Sequence, residues 1–285
     1  MRVNKLRVAA AQINPILMDI KGNLNKIEYF AEKAVKEESA KLIVFPECAL
    51  TGYVFSNIKE VKKIAESIPG SSTKRLEEIC KRLKCWLIVG LVEKSYKYYY
   101  NAALLISPNG VEYKYRKAHL PYLGLDRFIN KGNMSIQPVN TSIGKLGLAI
   151  CYDIFFPEVT RVLALMGAEL LAIPANWAEG VEFYTDYLIQ ARAIENHINI
   201  IAVNRVGEEK EFKFYGKSMI IDCSGKVLAK SDGKEEVIVA EVDLNKARNK
   251  HIVRIPGLWE VDCFKDRRSK LYKIICSNTK KIKPA

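Results

Sequence analysis

The chain reads as an α/β protein, a single domain in which two layers of sheet lie between outer helices. Three observations point there. Short runs rich in Val, Ile and Leu recur along the sequence and stop at Pro, Gly or a charged residue, as buried strands do. Amphipathic stretches of helical period separate them, and that alternation is the signature of the α/β class. No internal repeat, low-complexity tract or Ser/Pro/Gly linker interrupts the pattern, so residues 1–250 read as one domain and residues 251–285 as a C-terminal tail.

Taken in order, residues 6–13 form a buried strand, and residues 23–39 a helix with Leu24, Ile27, Phe30, Ala31, Ala34 and Val35 on one face. The run 41–47 is a second strand stopped by Pro46. Ser71 and Ser72 suit a helix N-cap, ahead of a face made by Leu76, Ile79, Cys80 and Leu83. Residues 86–92 are a third strand, and 99–106 and 111–116 are the arms of a hairpin turning at Ser107-Pro108-Asn109-Gly110. A Pro- and Gly-rich loop covers 117–133.

The run 146–150 then ends abruptly at Cys151, and Pro157, six residues later, opens a helix to about residue 167. Further strands are expected at 169–173, 198–203 and 236–242, with a hairpin of arms 214–222 and 226–229 around Cys223-Ser224-Gly225. Between them, residues 182–197 read as a helix with Phe183, Tyr187, Leu188, Ala191 and Ile194 inward. The pattern does not give the order of strands.

Composition narrows the function classes. Hydrophobic residues are 49% and charged residues 27% of 285, ordinary for a globular chain able to bury a large core. No stretch approaches the roughly 20 apolar residues of a membrane span, and the opening apolar run is too short for a signal segment. Seven cysteines, an odd number with no CxxC pair, indicate neither a disulfide framework nor a zinc site. A reducing, cytoplasmic setting follows. The net charge of +13 raises nucleic acid as a partner. The lysines, however, are mixed with glutamates on helix faces, and the densest basic run is the tail Lys280-Lys281-Ile282-Lys283. No nucleic-acid partner is expected.

Three reactive groups stand at strand ends: Glu47 after Pro46, Lys117 after Arg116, and Cys151 after Ile150. On its own, Cys151 reads equally as a nucleophile at a strand-to-helix turn or as a small buried hydrophobe. Together the three are coherent. A carboxylate in a dry pocket takes a thiol proton and returns it to a leaving amine. A fixed ammonium and a backbone N–H stabilise the oxyanion. The alternatives are a turn-capping Glu47 and a surface Lys117. No histidine stands in a context that suggests a Cys–His pair.

These residues carry a resemblance. The chain resembles the nitrilase superfamily of carbon–nitrogen hydrolases over nearly its whole length. It does so through Phe45-Pro46-Glu47-Cys48, Tyr115-Arg116-Lys117-Ala118-His119, Ile150-Cys151-Tyr152-Asp153, Pro174-Ala175-Asn176-Trp177 and Ala191-Arg192-Ala193-Ile194-Glu195-Asn196. The resemblance implies an α-β-β-α sandwich, four-layered (αββα-αββα) in a homodimer or higher homo-oligomer, with the tail often crossing to the partner. It implies a Glu47–Lys117–Cys151 triad without metal or cofactor: Glu47 as base and acid, Lys117 with the Tyr152 N–H at the oxyanion, and Cys151 as the thioester-forming nucleophile.

Departures sharpen the reading. Asp126 stands where many members have a second glutamate, and it either orients Lys117 or simply pairs with Arg127. Phe155 replaces the arginine with which omega-amidase-like members can hold a substrate carboxylate, so a neutral or partly apolar carboxamide is expected. Cys-Tyr-Asp in place of Cys-Trp-Glu argues against a nitrile. Tyr53, Phe155, Asn176 and Trp177 are the candidates for substrate binding, the aromatics reading equally as core. N-carbamoyl amine hydrolysis, omega-amidase activity, acyl transfer and a non-catalytic family member are the alternatives.

Overall fold

A computed structural model of the chain describes residues 3–276, so the basic run at 280–283 lies outside the described residues. The described chain forms two compact units, one ending at Arg248 and one beginning at Asn249.

The first unit opens with β1 (Lys5–Gln12), α1 (Ile20–Lys36), β2 (Leu42–Val44), α2 (Ile58–Ile64), α3 (Ser71–Leu83), β3 (Trp86–Ser95), β4 (Tyr98–Ser107) and β5 (Gly110–Arg116). It continues with β6 (Val139–Thr141), β7 (Gly144–Leu148), α4 (Pro157–Leu165), β8 (Leu170–Ala175), α5 (Ile189–Asn196) and β9 (Asn199–Asn204). It closes with β10 (Val206–Glu209), β11 (Phe212–Tyr215), β12 (Met219–Ile221), β13 (Val227–Lys230), β14 (Glu236–Asp243) and α6 (Leu244–Arg248).

Two six-stranded sheets result, ordered β14-β1-β2-β3-β4-β5 and β13-β12-β9-β8-β7-β6. Each has a parallel centre, β1-β2-β3 in one and β7-β8-β9 in the other, with antiparallel strands outside it. The sheets face each other, β1 against β9 and β3 against β8. Helices α1 and α3 cover one outer surface, while α4 and α5 pack together beside β9 on the other. This is an α-β-β-α sandwich. Strands β2, β8 and β9 are buried throughout because both of their faces are covered. The carboxyl ends of β2, β7 and β8 open towards the same region, where parallel sheets place ligands.

Two expectations need correction. The segment 182–197 is a π turn (Tyr184–Leu188) running into α5, and its buried face is Tyr184, Thr185, Ile189, Arg192, Ala193 and Asn196. Phe183, Tyr187 and Ile194 are exposed instead. Polar residues take the inward face because they have partners there. Arg192 donates to the carbonyls of Ile154 (3.1 Å) and Phe155 (3.2 Å). The arm expected at 214–222 is also broken. β11 pairs with β10 in a separate ribbon, Gly216 and Lys217 both turn left-handed (φ 69° and 56°), and β12 restarts in the second sheet.

The second unit holds a hairpin of β15 (His251–Ile255) and β16 (Trp259–Asp262), then a 3₁₀ segment Ser269–Cys276. Among the described residues no helix is long and apolar enough to cross a membrane.

Candidate active site

Glu47 leaves β2 by way of Phe45 and Pro46, and the chain then turns through Cys48 with φ of 52°. That turn lies directly against β3. A Cβ on Gly90 would come within 2.4 Å of the Cys48 nitrogen and 2.8 Å of the Glu47 Cα, so only glycine admits it. Lys117 follows β5. Its backbone N–H donates to the Asn101 carbonyl (2.8 Å), and its carbonyl accepts from Gly132 N (2.8 Å). The neighbouring Arg116 anchors the strand end on the buried Glu93 at 2.7 and 2.6 Å.

The side chains converge in a dry cluster. Glu47 and Lys117 are each 1% exposed. Lys117 Nζ lies 2.7 Å from Glu47 Oε1 and 2.5 Å from Asp126 Oδ2. The Asn101 amide ties the two carboxylates together, donating to Glu47 Oε1 (2.6 Å) and Asp126 Oδ1 (3.1 Å). The Tyr53 hydroxyl donates to Asp126 Oδ2 (2.9 Å), and its ring lies 5.7 Å from Lys117 Nζ. Arg127 turns away to the carbonyls of Gly124 and Phe55, leaving Asp126 to Lys117. Glu47 Oε2 is buried and has no hydrogen-bond partner.

Cys151 begins a 3₁₀ turn, Cys151–Phe155, with φ of 48°. A non-glycine residue held there costs about 1 to 3 kcal/mol, so its surroundings must impose it. Asp153 does so. Its carboxylate accepts from the Ile150 N–H (3.0 Å), the Tyr115 hydroxyl (2.8 Å) and the His119 N–H (3.0 Å). Arg192, on the Ile154 and Phe155 carbonyls, holds the end of the turn.

The charges follow from this packing. Burial pushes the Cys151 thiol well above its usual range, and the Glu47 carboxylate pushes it further, while Lys117 and the Asn176 N–H act against both. Burial also raises Glu47 above the ordinary carboxylate value, against the pull of Lys117, and the charge of Asp126 adds to the rise. For Lys117 burial acts downward, but Asp126 and Glu47 overcome it and hold the ammonium well above its usual value. The lysine is therefore a fixed cation. Burial favours the protonated forms of Glu47 and Cys151.

The remaining expected residues fall around this cluster. Trp177 stacks on Tyr184 with ring centroids 5.0 Å apart. Burial, and then the nearby Cys151, raise the Tyr184 phenol. Both amide atoms of Asn176 and the Trp177 indole nitrogen are buried without hydrogen-bond partners. Tyr152 and Phe155 stack at 5.7 Å, and Phe155 is 47% exposed, at the outer edge of a group with Phe156, Phe183 and Tyr184. Asn101, Gly90 and Asp153 escaped the sequence reading. A lone Asn inside the apolar arm of β4 was the available signal. Among the described residues no group of His, Cys, Asp and Glu side chains is arranged to hold a metal ion.

The chain belongs to the carbon–nitrogen hydrolase family of the nitrilase superfamily, whose family model matches residues 7–251. Among its relatives is a protein named nitrilase from Pyrococcus abyssi, 39% identical over 272 residues that span 94% of this chain and 99% of that one. The N-carbamoylputrescine amidase of Solanum lycopersicum is 31% identical, with 95% of each chain covered. A carbon–nitrogen hydrolase from Helicobacter pylori G27 superposes with a TM-score of 0.85 at 25% identity, over 96% of this chain and 99% of that one.

Proposed function

We propose that this carbon–nitrogen hydrolase cleaves a neutral or partly apolar carboxamide to a carboxylic acid and ammonia through a thioester on Cys151. The observation that carries the reading is Glu47. One of its oxygens is pinned by Lys117 and Asn101, and the other is buried and bare. A carboxylate so divided has one oxygen fixed in place and one free to exchange a proton.

Glu47 takes the Cys151 proton as the sulfur bonds to the amide carbon. Lys117 Nζ and the Tyr152 N–H hold the resulting oxyanion. The C–N bond breaks as Glu47 passes the proton to the nitrogen, and ammonia leaves. Water then attacks the thioester and gives a proton to Glu47. The C–S bond breaks, the sulfur recovers that proton, and the acid departs.

The arginines bear on the charge of the substrate. Phe155 offers no partner for a second carboxylate, Arg127 is engaged with two carbonyls, and Arg192 holds the nucleophile turn and Glu195. A free carboxylate on the substrate would be buried unpaired, which is costly. The name of the Solanum relative favours N-carbamoyl amines as the second reading. We propose further that the protein is a homodimer in which a second copy covers the apolar outer face of α4 and α5, with residues 251–285 packing on the partner.

An ammonia-release screen over aliphatic, aromatic and N-carbamoyl amides tests the reaction, with intact-mass detection of an acyl adduct on Cys151. Cys151→Ala lowers turnover by about 10⁴-fold or more while leaving the fold intact. Wild-type ammonia release by that variant overturns the mechanism. An omega-amide of a dicarboxylate as the best substrate by a wide margin overturns the substrate class.

A further inference from the structure

We propose that Glu209 is a positioning residue for the Lys117–Asp126 arm of the site, acting through Tyr53. The proposal rests on the reading of Cys151 as the nucleophile beside Glu47 and Lys117.

Glu209 closes β10, more than 80 residues in sequence from any member of that cluster except Cys151. Its side chain crosses to the loop after Glu47, where one oxygen, Oε1, accepts the backbone N–H groups of Tyr53 (2.9 Å) and Val54 (2.5 Å). The Tyr53 carbonyl accepts from Leu125 N (2.8 Å), and the Tyr53 hydroxyl donates to Asp126, the partner of Lys117. Tyr53 is thus held at its nitrogen by Glu209 and at its carbonyl by the Asp126 turn. Its ring spans the gap between the two. The Tyr53 side chain is buried, so a shift of its backbone is carried to the hydroxyl.

The other oxygen of Glu209 belongs to a second anchor. Oε2 accepts from Arg205 Nη1 (2.8 Å), and Arg205 Nη2 donates to Asn14 Oδ1 (2.7 Å) and the Pro15 carbonyl (2.9 Å). Room for the carboxylate comes from Gly52, where a Cβ would meet Oε2 at 2.8 Å. The pair is buried, with Arg205 1% and Glu209 6% exposed. A buried ion pair is weak evidence of stabilisation, because desolvation offsets the attraction. What it supplies here is a fixed geometry. The loop that carries Tyr53 is referred to the segment between β9 and β10 and to the chain leaving β1, so both sheets set where Asp126 and Lys117 stand.

Glu209→Gln is the informative variant. An amide has one acceptor oxygen for two tasks, so either the Tyr53 and Val54 N–H groups or Arg205 must face an NH₂ donor. The probe is iodoacetamide on the full-length protein, with labelling of each cysteine read by peptide mass spectrometry across pH. Fully buried Cys80 reports global unfolding in the same samples. The variant is expected to alkylate at Cys151 about tenfold more slowly than wild type, with a displaced pH midpoint and Cys80 still protected. Adding Tyr53→Phe is expected to cost less than twofold more, since both changes break one path. A Glu209→Gln profile that superimposes on wild type overturns the proposal, as do losses that multiply in the double variant. If Cys80 becomes labelled, Glu209→Asp replaces it, keeping the charge for Arg205 while drawing back from Tyr53, and the same outcomes decide. A wild-type Cys151 no more reactive than Cys80 refutes the nucleophile reading itself. A reactive Cys151 indifferent to Glu209 refutes only this inference.

Discussion

Glu47 carries two opposed influences, and they can be separated by mutation. Burial and the charge of Asp126 raise it, while Lys117 and the Asn101 hydrogen bond lower it. With Glu47 as the base we propose, turnover falls as pH drops through this raised value, so the acid limb of kcat/KM is expected above the ordinary carboxylate range. Asn101→Ala removes a lowering contact and moves that limb to higher pH. Asp126→Asn removes a raising charge and moves it to lower pH. Shifts in the same direction for both variants would refute this account of the cluster. Linkage runs the other way for stability. A carboxylate raised on folding contributes stability below its unfolded value, and that contribution is lost as pH climbs through the folded one. Lys117, also raised, contributes up to the alkaline range and loses its contribution only there. Glu47 and Cys151 were legible because each follows an apolar run that stops abruptly, and Lys117 because it follows the end of a hairpin arm. Asn101 was not, because one polar residue in a strand reads the same whether it faces water or two buried carboxylates.

At the scale of elements, the site depends on close approach between turns and strands. Gly90 lies in the middle of β3, where a glycine marks a close backbone approach without saying which segment approaches, and the Glu47 turn rests against it. Gly90→Ala places a methyl group into the Cys48 backbone and is expected to destabilise the protein by about 3 kcal/mol, measured by urea unfolding. It should also lower kcat even where the protein remains folded, since Glu47 moves with the turn. Unchanged stability together with unchanged kcat would refute the packing argument. The strands were readable from their apolar runs, and the helix opened by Pro157 from its proline. Strand order was not, because β14 returns from the end of the first unit to pair with β1 near its start. The break between β11 and β12 was hidden for another reason. Lys217 takes a left-handed conformation that its residue type does not advertise.

Over the whole molecule, the misread face of α5 becomes informative. Phe183, Tyr187 and Ile194 have the spacing of a buried stripe, yet Tyr187 is 75% and Ile194 55% exposed. Val162 and Leu165 on the adjoining α4, and Met166 at its C-terminal end, are exposed in the same way. These apolar residues stand exposed on two helices that pack together, and exposed apolar surface of that kind marks an interaction site when it is contiguous. Periodicity placed this stripe in the chain's own core, and the structure leaves it exposed. A second copy is the partner we propose, since a two-fold axis lets α4 and α5 cover their own counterparts. Phe155, at the edge of this patch and four residues from Cys151, joins the face to the nucleophile turn. Leu165→Glu with Ile194→Glu introduces unpaired charges into that contact and is expected to convert a dimer to a monomer by light scattering. Circular dichroism should stay unchanged, because both side chains lie outside the core. A wild-type chain that is monomeric at micromolar concentration, or a double variant that remains dimeric, would refute this face as the interface. Loss of turnover in the folded monomer would further show that the nucleophile turn needs its neighbour.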